Sequence, residues 1–148
     1  HADHEVILLV LRRRAQHAYL PVERDQSMSI TSIVDFATAT TEAEHYRPDP
    51  AKLLAGDPAQ NVRNHYTSPC GQFFSGVWEA EPGHWTISYS EHEYCEILEG
   101  ESILRDRGGN AKTLRAGDRF VIPAGFEGSW EVLQRTRKVY VIFEPKSI

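Results

Sequence analysis

Cysteine and methionine are nearly missing from this sequence: Cys70, Cys95 and Met28 are the only ones among 148 residues. Two cysteines cannot build a disulfide framework, and a chain of this length buries about 68–70% of its unfolded surface without one. Both are therefore expected as thiols, in a reducing compartment such as the cytoplasm. Long apolar runs are missing too. The longest, Val6–Leu11, has six residues, against about 20 for a membrane span and about 7–15 for the core of an export signal. Positive charge is in deficit, since 16 Lys and Arg against 21 Asp and Glu leave −5. No basic field would hold a phosphate backbone, so neither nucleic acid nor a membrane is an expected partner.

What is present divides the chain by texture. Residues 1–27 hold the apolar run and then Arg12, Arg13 and Arg14, and the sequence opens on His1. Either Met28 begins the functional polypeptide, or residues 1–27 are native and Glu5–Leu11 docks as an arm, across a dimer. So apolar a segment does not stay exposed without consequence. The arginines read as a solvated boundary. Residues 29–72 read as an irregular strap, because Pro48, Pro50, Pro58 and Pro69 each remove a backbone donor and bias the preceding residue away from helix. Two short helical pieces are predicted there: one at 31–37, and one over Pro50–Ala55 with Asp49 as N-cap, Pro50 at the first position and Gly56 as the stop.

From Phe73 the pattern is dense β. Short apolar or alternating runs lie at 73–80, 85–89, 94–98, 102–105, 119–122, 129–133 and 139–143, most of them separated by Gly, Pro or polar turns. Seven or so strands without intervening helices predict an all-β sandwich or barrel. Gly108-Gly109 reads as a hairpin turn, and Asp118 as a turn carboxylate that caps backbone amides.

Two motifs sharpen this. Glu93 is followed by six residues and Gly100; Gly117 is followed by five residues and Pro123-Ala124-Gly125. In this order they resemble the second half of the first cupin motif and the first half of the second. The stretch through Gly128, Trp130 and Lys138 is similar to the branch of ethanolamine-utilisation protein Q and the cupin domain of ureidoglycine aminohydrolase. The resemblance covers about residues 73–143. It implies a cupin jelly-roll barrel at 73–148, a double-stranded β-helix, with residues 1–72 as arm and strap packed on it.

The resemblance also implies a metal site of His-x-His, Glu and a further His, which suits a divalent ion with open positions for substrate. Here the two histidine positions of the first motif fall on Ile87 and Tyr89, or on Thr86 and Ser88, and that of the second on Gly128. Glu93 alone remains, so no metal cofactor is expected. If one is bound, Glu93 and His84 are its candidate ligands. His92 precedes Glu93, so on a strand the two point to opposite faces.

By alternation Glu93, Cys95 and Ile97 share one face, and the family geometry turns that face inward. A carboxylate among apolar residues is disfavoured in its charged form unless a cation compensates. Lys138 is the branch-typical cation. Glu93 is the candidate acid or base, with Tyr89 and Lys138 assisting, and Trp130, Cys95 and Trp85 are candidate pocket walls.

Three functions follow. The first is a metal-free barrel that binds a small polar metabolite, anionic or amide-bearing. The second is a metal-dependent enzyme resembling a ureide hydrolase and using Glu93 with atypical ligands. The third is a non-catalytic sensor or assembly module, for which a homodimer is the expected form, since C2 dimers are the commonest closed assembly.

Overall fold

The computed structural model describes residues 28–146, so the reading of 1–27 as an arm lies outside the described residues. Nine strands follow in chain order: β1 Glu44–Tyr46, β2 Leu53–Ala55, β3 Gln60–Thr67, β4 Phe73–Ala80, β5 Gly83–Ser88, β6 His92–Asp106, β7 Ala111–Arg115, β8 Arg119–Ile122 and β9 Glu127–Phe143. They form one antiparallel sheet with the order β1-β3-β4-β9-β5-β2. β6 runs beside β9 and carries β8 and β7 on its other edge.

Two long strands organise this sheet. The predicted pairs 94–98 with 102–105, and 129–133 with 139–143, are each one strand, β6 and β9. Each serves two sets of partners. β9 pairs with β5 through Glu127–Val132 and with β4 through Thr136–Phe143. β6 pairs with β8 through Glu93–Glu96 and with β7 through Glu101–Arg105. Between these halves the register shifts at Ile97, Glu99 and Glu101. Such bulges bend a strand and let one ribbon curl round a core. Gly100 sits inside this bulge rather than at a strand end. Its φ is +91°, and a Cβ there would come 2.0 Å from Arg135 O, so the close approach of the two backbones requires glycine.

The strap is more ordered than the prolines suggest. Pro58 and Pro69 flank β3 and do not interrupt it, and the strand pairs with β4 from Gln60 to Thr67. The predicted helix at 50–55 is one 3₁₀ turn, Pro50–Lys52, capped as expected by the Asp49 carboxylate, which accepts from Ala51 N (3.0 Å). It stops early because Leu53–Ala55 joins β5. The helical piece at 31–37 reduces to a 3₁₀ turn at Ile30–Ser32 and a turn after it.

Inside the curl the side chains alternate as period-two strands require. Phe74 and Trp78 of β4, Trp85 and Ile87 of β5, Cys95 and Ile97 of β6, and Trp130, Val132, Tyr140 and Ile142 of β9 are all buried. Trp78 packs edge-on against Trp130, with centroids 5.4 Å apart, and at 6.3 Å from Trp85. Such pairs add about 0.5–1.5 kcal/mol beyond area burial.

Candidate functional site

Three donors meet at one carboxylate oxygen inside the curl. Tyr89 OH donates to Glu93 Oε1 at 2.9 Å, Cys95 Sγ at 3.1 Å and Lys138 Nζ at 3.1 Å. The elements fix each group. Glu93 projects inward from the first half of β6, between its register partners Ile122 of β8 and Ile142 of β9. Cys95 is two residues on, on the same face. Lys138 stands opposite Ile97 and Trp78, and its long stem reaches past the Cys95–Tyr140 pair to the carboxylate. Tyr89 is pinned at both ends of its peptide unit: its N–H donates to Phe126 O (2.9 Å), and Gly125 N donates to its carbonyl (2.7 Å).

Lys138 is 1% exposed and Glu93 1%. The ammonium lies 4.6 Å from the centroid of the Trp78 ring and 4.4 Å from that of Trp130. Two cation–π contacts and a carboxylate thus share one buried charge. The indoles are fixed in turn, since Trp78 Nε1 donates to Gln60 Oε1 (3.0 Å) and Trp130 Nε1 to Ser102 Oγ (3.1 Å). Ser102 and Thr136 share a hydrogen bond of 2.6 Å.

Burial opposes the Lys138 ammonium, but the charge and hydrogen bond of the Glu93 carboxylate outweigh it and hold the pKa above the ordinary lysine value. Burial, then the Glu93 charge, pushes the Tyr89 phenol and the Cys95 thiol well up. Cys95 is therefore no nucleophile. Tyr140 is raised for the same two reasons, and its OH donates to Asn64 Oδ1 (2.9 Å). Glu91, fully buried beside the cluster, adds negative charge that acts on Tyr89 and Lys138. The arrangement holds protons firmly on Tyr89, Cys95 and Lys138 around Glu93. Each of these donors is spent on Glu93, so the cluster is a closed, buried network.

A divalent ion does not fit these residues. The place beside Glu93 is taken by an ammonium, which repels a metal cation. At the histidine position of the second motif, a Cβ on Gly128 would stand 1.9 Å from Arg105 O, so no side chain can project there. Among the described residues no cluster of three or more His, Cys, Asp or Glu is spaced to hold a metal. His84, the proposed substitute ligand, lies opposite Glu131 on the face away from Trp85, and its Nε2 shares a hydrogen bond of 2.9 Å with Ser129 Oγ. His92 is exposed, stacks on Phe143 and accepts from Ala124 N (3.1 Å). Neither histidine is brought to Glu93.

The structure thus joins Glu93, Tyr89, Lys138, Cys95 and Trp130 in one cluster, with Trp85 behind Trp78. Sequence reasoning missed Trp78, Tyr140 and Glu91. Trp78 was legible as an inward residue from its alternation with Phe74 and Ala80, but nothing local pairs it with Lys138, 60 positions away.

A cleft of about 350 Å³ lies between the β6–β7 hairpin and the loop after β8, walled by Leu104, Phe120, Ile122, Pro123 and Phe126. Two walls are the direct register partners of the cluster, Ile122 of Glu93 and Phe120 of Cys95. Phe126 packs edge-on against Tyr89 at 6.3 Å.

The sequence model of the EutQ-like cupin domain matches residues 67–140, which runs from before β4 into β9 and takes in every residue of the cluster. The chain belongs to the EutQ-like cupin family. Solved structures share its curl. A protein with unknown function of the DUF861 family from Pseudomonas syringae superposes with a TM-score of 0.64 at 23% identity, covering 71% of this chain and 45% of the other. The Clostridium difficile EutQ protein gives 0.53 at 16%, covering 59% and 69%. A predicted oxalate decarboxylase from Thermotoga maritima gives 0.57 at 16%, covering 76% and 99%. These identities speak for the fold, and the cupin jelly-roll barrel is the architecture of this chain. The chain spans less than half the length of the Pseudomonas protein. A comparison with curated proteins finds no match. No helix among the described residues is long and apolar enough to cross a membrane.

Proposed function

We propose that this cupin is a small-molecule binding protein that works without a divalent metal, and that its ligand sits in the cleft beside the Glu93 cluster. The observation that carries the reading is an apolar cleft whose walls Ile122, Phe120 and Phe126 are the neighbours of Glu93, Cys95 and Tyr89 in the buried cluster. Mostly apolar clefts of about 300–1,000 Å³ with a few placed polar groups are what small ligands use. Lys138 supplies the positive charge that a buried carboxylate needs, so a metal has no electrostatic task here. Glu93 holds the Tyr89 ring, which packs on the cleft wall Phe126, so Glu93 and Tyr89 are positioning residues.

The test is a thermal-shift screen of carboxylates, amides and ureides against wild type, Tyr89→Phe and Ile122→Trp, with Mn²⁺, Zn²⁺ and Ni²⁺ added separately. Hits should weaken in Tyr89→Phe and vanish when the indole fills the mouth, while the metals leave the wild-type melting temperature unchanged. Hits indifferent to both variants would refute the location. A saturable metal shift that disappears in Glu93→Gln would refute metal independence.

A further inference from the structure

Among the described residues, the mouth of the barrel has one charge without a partner. Lys112 of β7 is the register partner of Leu104, whose side chain is buried on the inner face. Leu114, two residues on, is buried on that same face. Lys112 therefore extends the inner face of β7 to the rim, and it lines the cleft with Phe120, Ile122 and Phe126. Among the described residues no carboxylate lies within ion-pair distance of it. The other charge on the cleft, Asp106, is tied into the hairpin turn: its Oδ1 accepts from Asn110 N (2.9 Å) and its Oδ2 from Asn110 Nδ2 (3.0 Å).

We infer that the cleft selects an apolar monocarboxylate, whose hydrocarbon or aromatic body lies on Phe120, Ile122 and Phe126 and whose carboxylate pairs with Lys112 at the rim. This rests on the mouth being the ligand site and adds the chemical class. Three features point to it. The walls are apolar and two are aromatic, which suits a flat or branched body of about ten heavy atoms in a cleft of about 350 Å³. The cation stands at the open end, where a carboxylate keeps part of its hydration while the body is desolvated. Lys138, the cation at the closed end, is already held by Glu93 and two indole faces, so it is not the group that receives an anion.

The experiment is calorimetry or Trp fluorescence at neutral pH with matched probes: phenylacetate, 4-methylpentanoate, their alcohol counterparts 2-phenylethanol and 4-methylpentanol, their amine counterparts, and acetate. At least one apolar carboxylate should bind about fivefold or more tighter than its alcohol, its amine and acetate, the margin of a charge-assisted hydrogen bond. Lys112→Gln should remove that margin and leave alcohol binding unchanged, and Lys112→Arg should keep it. Lys112 is exposed on a hairpin, so both variants retain the fold. Preference for the amine would assign the sign to Asp106 and overturn the inference. So would equal binding of acid and alcohol; if both are lost in Ile122→Trp, the mouth remains the site and only the ligand class fails. Binding of no probe, with library hits indifferent to Ile122→Trp, would overturn the class and the location together.

Discussion

Lys138 Nζ stands 3.1 Å from Glu93 Oε1 with both side chains sealed from solvent and two indole rings closing over the ammonium. Neither charge has water to fall back on. Removing one partner leaves the other buried and uncompensated, which costs about 3–5 kcal/mol.

Glu93→Gln and Lys138→Met should each lose stability of that order in urea denaturation. The double variant should recover most of it, because a neutral pair of similar volume leaves no buried charge. A Lys138→Met protein within about 1 kcal/mol of wild type, on the scale of an exposed pair, would show that the pair does not hold the core.

The same cluster sets an alkaline limit. Cys95, Tyr89, Tyr140 and Lys138 all have pKa values above their ordinary 9.0, 10.0, 10.0 and 10.5. In each case the folded state keeps a proton that the unfolded chain releases. By linkage, the stability from each group is complete below its ordinary value and is lost as pH rises toward the folded one. Melting temperature should therefore hold to about pH 9 and fall steeply between about pH 9 and 11. A flat profile to pH 11 would contradict the burial of these groups.

The two thiols should separate cleanly. Cys70 is exposed, and hydrogen bonds from Ser68 first, then from Gln72, hold it down to about 7. Cys95 is buried and raised. At pH 8 iodoacetamide should alkylate one thiol per folded chain, found at Cys70 by peptide mapping, and reach Cys95 only in denaturant. Rapid loss of both would mean the barrel opens.

Two glycines give opposite substitution costs. Gly109→Ala meets nothing within 4 Å and bears only its φ of +84°, about 1–2 kcal/mol. Gly128→Ala drives a methyl into Arg105 O, and should cost more than that in denaturant midpoint or prevent folding. Equal costs would show that β9 relaxes away from β6 without penalty.

Much of this protein was written locally. The apolar and alternating runs place β4 and β8 to the residue, and the Glu93 and Gly117 motifs, with Gly100 and Pro123, mark a cupin. Asp118 caps its turn as expected, accepting from Arg115 N (2.8 Å). The inward direction of Glu93 followed from period two and the family frame. By contrast, β3 was hidden by its flanking prolines, and β1 and β2, of three residues each, are stabilised by pairing and not by propensity.

The sequence by itself determined which residue types were missing: without histidines at positions 87, 89 and 128, it left Glu93 a carboxylate in need of a cation. Only the tertiary structure decided what supplies it. Lys138 is 45 residues away from Glu93, and its partner Trp78 comes from a third strand. Their meeting depends on how β6, β9 and β4 align, and on a bulge at Gly100 that sets where the sheet curls. Registers across long loops are fixed by the packing of the whole core, and no window of the sequence contains that information.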